Sequence, residues 1–143
     1  MKKILAIDYG EKKIGLAISD ELGLCANPYG VIRNTKDVFK KIKEISENNK
    51  IKKILVGIPY WDKPSKIVDK IKEFVENLKK EINIEIELFN EFYSTKIAEE
   101  KICSIGKKYK KVKNKIDSYA ACVILQEYLE NYSNFKIEKE NKR

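Results

Sequence analysis

The chain contains no histidine. Imidazole zinc sites, serine–histidine and cysteine–histidine nucleophiles, and histidine acid–base catalysis are therefore excluded. Cysteine is sparse: Cys25, Cys103 and Cys122 are odd in number, far apart and without a CxxC spacing. That pattern disfavours a disulfide framework and a thiolate zinc site. Long hydrophobic runs are missing as well. The N-terminal MKKILAID is interrupted at Asp8, too short for the apolar core of a signal peptide. No stretch approaches the roughly 18 apolar residues of a membrane span. These absences lead us to expect a soluble, cytoplasmic protein with no membrane partner. Any catalysis must come from carboxylates, lysines, hydroxyls or a bound ion.

What is present is a globular composition, 43% hydrophobic and 36% charged over 143 residues, enough for one domain with a real core. The formal net charge of +8 favours polyanionic partners, nucleic acid first. A chain rich in Lys, Ile and Asn carries such a charge by compositional bias too, so its placement matters more than its size.

Apolar runs at 3–8 (KILAID) and 14–19 (IGLAIS), joined by a Gly-containing loop, predict a hairpin, with a third strand within 22–33. Val38, Phe39, Ile42 and Ile45 fall on one helical stripe, with Thr35 or Asp37 as start signals. The run 52–59 (KKILVGIP) has the pattern of a central parallel strand. Pro64-Ser65 opens a second helix carrying Ile67, Ile71, Phe74, Val75 and Leu78 inward. Residues 82–89 (INIEIELF) predict a fifth strand, and Ser94 or Thr95 caps a third helix over about 95–105. A last helix from Asp117 points Ala120, Ala121, Ile124, Leu125 and Tyr128 inward. Residues 1–132 thus read as a single domain, and 133–143 as a polar, flexible tail.

A three-strand meander followed by alternating α and β elements predicts an α/β fold: a five-stranded mixed sheet with helices on both faces. Ligands in such sheets bind beyond the carboxyl ends of the parallel strands. Asp8 and Glu91 come just past two strands expected to point the same way, and Asp117 opens the last helix. A hard cation needs oxygen ligands and keeps several waters, so two or three carboxylates suffice. Two such ions can support phosphodiester hydrolysis without histidine. Each residue also has an ordinary explanation: Asp8 as an Asx-turn, Asp117 as a helix cap, Glu91 as a solvated carboxylate. Only together do they favour ligation. Asp20 reads as a turn residue at the opposite edge.

The blocks DYGEKKIGLAISD (8–20), GIPYWDKPS (57–65), NEFYSTKIAEE (90–100) and DSYAACVILQEYL (117–129) resemble, in order, the signature blocks of the YqgF/RuvX family. The resemblance covers about residues 3–130. It implies a ribonuclease H-like fold related to the RuvC resolvases. It further implies a metal-dependent endonuclease maturing the 5′ end of 16S ribosomal RNA precursor, with Holliday-junction resolution as the alternative. On the family's blocks the acidic residues fall at Asp8, Glu91 and Asp117, implying a two-ion Mg²⁺ or Mn²⁺ site. This chain departs from the pattern where the family's Asp-Glu-Arg reads Asn90-Glu91-Phe92. Losing a carboxylate and a bidentate phosphate contact leaves room for a third reading, a catalytically weak RNA-binding or ribosome-assembly module. The phosphate loop of sugar-kinase and actin-like ATPases, which need two such domains, is a remote fourth.

For a nucleic-acid partner, structured RNA or branched DNA, the expected contacts are basic. Lys107, Lys108, Lys110, Lys111 and Lys113 lie in a run of six lysines ending at Lys115, with Tyr109 interleaved, just before Asp117. Lys12 and Lys13 follow Asp8, and Ser94 and Thr95 offer a helix start for a phosphate. A solvated lysine loop and plain capping are the competing explanations. Tyr60 and Trp61 are surface aromatics more readily explained by packing than by stacking. Either a monomer or a homodimer fits this sequence.

Overall fold

Four consecutive apolar residues, Ile4 to Ile7, all buried, need cover on both faces and so belong at the centre of a sheet. In a computed structural model, which describes residues 3–59, 65–90 and 118–141, they form β1 (Lys3–Asp8). It is followed by β2 (Lys13–Ser19), β3 (Ala26–Arg33), α1 (Val38–Asn48), β4 (Ile51–Ile58), α2 (Lys66–Glu81), β5 (Glu85–Asn90) and α3 (Tyr119–Asn141). The strand order is β3-β2-β1-β4-β5. β1 pairs antiparallel with β2 and parallel with β4, β2 antiparallel with β3, and β4 parallel with β5. This is the expected meander followed by alternation.

Side-chain alternation splits the sheet into two cores. Leu5, Ile7, Ile14, Leu16, Ile54 and Val56 face α1 and α2, meeting Val38, Ile42, Ile71, Phe74 and Leu78. Ile4, Ala6, Ala17, Ala26 and Leu55 face α3, meeting Ala121, Cys122, Leu125 and Tyr128. The hydroxyl of Ser65 caps α2 by accepting from the Val68 N–H at 3.2 Å. At α1 the Thr35 hydroxyl instead donates to Asp37, whose side chain makes no cap bond.

Several elements depart from the sequence expectation. Ile82 does not start β5; its N–H bonds to Leu78 O at 3.0 Å and its buried side chain closes α2, so the strand begins at Glu85. Residues Ala121 to Leu129 are all buried, while Ala120 is exposed; a helix covered on every side has no single inward stripe. The same helix continues to Asn141, past Tyr132, through a Lys- and Glu-containing stretch of good helix formers. Cys25 is disulfide-bonded, a pairing that spacing alone does not reveal, and Cys122 is a buried free thiol. The expected third helix, the lysine run, Tyr60 and Trp61 lie outside the described residues.

Two sets of polar contacts, one of them with a buried hydrogen bond, fasten α3 to the sheet. Gln126 accepts from the Ala26 N–H at 2.9 Å and donates to Leu24 O at 3.2 Å. Lys53 donates to the Tyr128 hydroxyl at 2.6 Å, and the Tyr128 ring stands edge-on to Phe89 at 5.6 Å. The outer strand β3 is blunted: Pro28 precedes a register shift, and Gly30 takes φ +151°, a conformation L side chains rarely adopt.

The turn between β1 and β2 is clamped from three sides. Tyr9 packs on Phe74 at 5.1 Å between ring centroids, Glu11 pairs with Lys70 at 2.7 Å, and the Asn34 amide donates to Gly10 O at 2.9 Å. The Asn34 N–H also donates to Lys12 O at 2.9 Å. A Cβ on Gly10 would lie 2.2 Å from Lys13 O, so only glycine closes this turn. We expect Gly10→Ala to cost about 1–3 kcal/mol as the turn is forced open, read as a lower urea midpoint. Gln126→Leu should cost a similar ~1–3 kcal/mol, because the buried Ala26 N–H loses its acceptor, lowering Tm by several degrees.

Candidate active site

Asp8 closes β1 at the carboxyl end, directly opposite Gly15 of β2. It follows Ile4 and Ala6 on the face covered by α3. On the other side Val56 pairs with Ile7, so Gly57 comes next along β4. Two glycines therefore flank the aspartate, and neither neighbouring strand places a side chain beside its carboxylate. The residue is half-buried, and among the described residues no donor pairs with it. Desolvation by burial pushes its pKa above the usual aspartate value. A partly dehydrated carboxylate with no cationic partner among the described residues suits a hard cation.

The same edge collects the other parallel strand ends. Ile58 and Asn90 are register partners at the ends of β4 and β5. Glu91 follows Asn90 immediately in the chain, but it and Asp117 lie outside the described residues, as do Ser94, Thr95, Lys107, Lys108, Lys110, Lys111 and Lys113. Among the described residues there is no group of three or more metal-ligating side chains, as expected when one of the three acids is described. Asp20 sits at the opposite edge, where its carboxylate accepts from the N–H groups of Leu24 and Cys25 at 2.8 and 3.1 Å. It is a turn residue, as its sequence position suggested.

Lys12 and Lys13 are exposed on the clamped turn beside Asp8. Glu11 next to them is engaged elsewhere: its hydrogen bond and charge interaction with Lys70 hold its pKa below the usual glutamate value. Asn34, Lys70, Tyr9 and Phe74 fix this turn; of these the sequence pattern marked only Phe74, and only as a core residue of the second helix. The role of Asn34 depends on a contact with Gly10, 24 positions away.

Comparison with known proteins follows this geometry. The family model RuvX, described as Holliday junction resolvase, matches residues 2–131. A protein of Sulfurihydrogenibium sp. named "Putative pre-16S rRNA nuclease" is 42% identical over 137 residues, covering 93% of each chain. A protein of Malacoplasma penetrans with the same name is 43% identical over 133 residues, covering 89% of this chain and 93% of its own. Among solved structures, T. thermophilus RuvC in complex with Holliday junction substrate superposes with a TM-score of 0.61 at 13% identity, covering 93% of this chain and 96% of that one. The fowlpox virus Holliday junction resolvase gives a TM-score of 0.53 at 18% identity, covering 90% and 99%. At such low identities the structures speak for the fold, which is ribonuclease H-like. With its clamped turn, its parallel strand ends and a family match spanning nearly the whole sequence, the chain belongs to the RuvX family.

Proposed function

We propose that the chain is a metal-dependent endonuclease that hydrolyses phosphodiester bonds in structured RNA, acting at the 5′ end of precursor 16S ribosomal RNA in the cytoplasm. The observation that carries this reading is the desolvated Asp8 carboxylate, unpaired among the described residues, at the carboxyl edge of three parallel strands. Relatives sharing about two-fifths of its residues bear a nuclease name, which supports the same substrate class.

In this reading Asp8, Glu91 and Asp117 together hold Mg²⁺ or Mn²⁺. β5 ends beside β4, so the chain passes from Asn90 to Glu91 at the Asp8 edge. Gln126 is fastened near Ala26, at the other end of the sheet. The start of α3 lies some 10 Å back along the helix axis, which supports delivery of Asp117 toward Asp8. Bound divalent ions would supply an activated water and stabilisation of the leaving oxygen. The protein's own contribution is positional. The clamped turn holds Lys12 and Lys13 beside the scissile phosphate, and Ser94, Thr95 and the lysines at 107, 108, 110, 111 and 113 grip the flanking backbone. Asn90 and Phe92, in place of the acid and arginine of the family pattern, lower the charge of the site and weaken its phosphate hold.

A second reading, resolution of branched DNA, is favoured by the family's description and by the fold shared with RuvC. Incubating the protein with a precursor 16S RNA fragment and a synthetic four-way junction in Mn²⁺ separates the two. We expect cleavage of the RNA, reduced to background by Asp8→Asn with RNA affinity retained or raised. Cleavage that persists in Asp8→Asn under chelator would sink the carboxylate–metal mechanism. RNA binding with no hydrolysis at any metal concentration would leave a binding module.

The raised Asp8 pKa also has a stability consequence. A carboxylate easier to protonate when folded contributes stability that is fully present below its unfolded pKa and is lost as pH rises through its folded pKa. In metal-free protein at pH 7 to 8, Asp8→Asn should therefore raise Tm, with the gain shrinking as the pH approaches the aspartate range. A Tm unchanged or lowered at neutral pH would contradict the desolvation.

A further inference from the structure

Lys13 and Arg33 are register partners on β2 and β3. Residues directly opposite on antiparallel strands share a face, and like charges placed there destabilise the pair. Both side chains are exposed. Among the described residues neither has a carboxylate partner. The acids nearest in sequence are occupied: Glu11 by Lys70 at 2.7 Å, Asp37 by Lys41 at 3.6 Å and by the Thr35 hydroxyl. Among the described residues this repulsive cross-strand pair is left uncompensated.

Its location gives the pair a use. Asp8 faces Gly15, and Lys13 lies two residues further along β2, so Asp8, Lys13 and Arg33 all stand on the same face of the sheet. Two strand spacings sideways and two residues along place Arg33 on the order of 12 Å from Asp8, Cα to Cα. A nucleic-acid strand rising about 3.4 Å per nucleotide covers that in three to four nucleotides. Asn34, next to Arg33, is the residue that clamps the turn through Gly10 and Lys12, so the backbone at both cations is held relative to Asp8.

We propose that Arg33, paired across the strands with Lys13, forms a phosphate-binding site that carries the nucleic-acid backbone from Asp8 outward over β2 to the β3 edge of the sheet. The polyanion supplies the negative charge that the described residues do not. This path rests on the nuclease reading for its polarity from Asp8, but its test does not depend on cleavage. Binding of a fluorescent precursor 16S RNA fragment is measured in EDTA between about 50 and 200 mM salt, with thermal melting of each free protein alongside. Arg33→Ala and Lys13→Ala should each weaken binding several-fold and reduce the salt slope by about 0.7 to 0.9. Arg33→Glu, which creates a cross-strand ion pair with Lys13, should weaken binding further while raising Tm. Variants that gain thermal stability with affinity and salt slope unchanged would overturn the proposal. A wild-type protein that does not bind the RNA would overturn both this path and the nuclease reading. Salt-sensitive binding lost on substitution, with no cleavage in any metal, would uphold the path and defeat the catalytic reading alone.

Discussion

β1 is the strand on which the rest of the sheet is hung. It is buried on both faces through Ile4, Leu5, Ala6 and Ile7, and charged only at its two termini, Lys3 and Asp8. Pairing antiparallel on one side and parallel on the other, it converts a local hairpin into a mixed sheet. Because β4 and β5 run with β1, their ends are compelled to the edge where Asp8 emerges. A register slip of one residue would turn Asp8 to the opposite face. Burial of the four residues before it is what prevents that slip. The position of the carboxylate is thus set by hydrophobic packing, and its chemistry by being the first group the packing leaves uncovered.

The surroundings of Asp8 show how a site can be poised without paired charges nearby. Glycines stand on both neighbouring strands, and the acid nearest in sequence, Glu11, is drawn off by Lys70 on α2. The turn that follows owes its shape to residues from three other segments: Asn34 after β3, and Lys70 and Phe74 of α2. Such a turn gains little from its own sequence beyond Gly10 and much from what lies around it. The backbone beneath Lys12 and Lys13 is already held, so engaging a ligand there costs side-chain entropy but little backbone entropy.

Much of this architecture could be read from residue patterns. The hairpin, the alternation of strands and helices, the Ser65 cap and the turn role of Asp20 follow from rules of local range. Where the pattern misled, a tertiary contact decided the outcome. Ile82 had the composition of a strand residue, but α2 had a buried seat for it. Ala120 sits at an inward spacing, yet the burial of everything from Ala121 to Leu129 shows a helix without a single covered stripe. Asn34 and Arg33 were beyond reach for the same reason: their significance lies in Gly10 and Lys13, which only the folded sheet brings near. The acids at 91 and 117 were found through motif order, which periodicity and spacing do not encode.

α3 comes last in the chain but covers strands made by the first thirty or so residues. At about 5–20 residues per second of synthesis, one face of the early sheet waits several seconds for its lid. That face is built largely from alanines, at positions 6, 17 and 26, whereas the face closed early by α1 and α2 carries the large aliphatic side chains. The order of translation thus matches the order of stickiness: the nascent chain hides its most adhesive surface first and leaves its least adhesive one open longest.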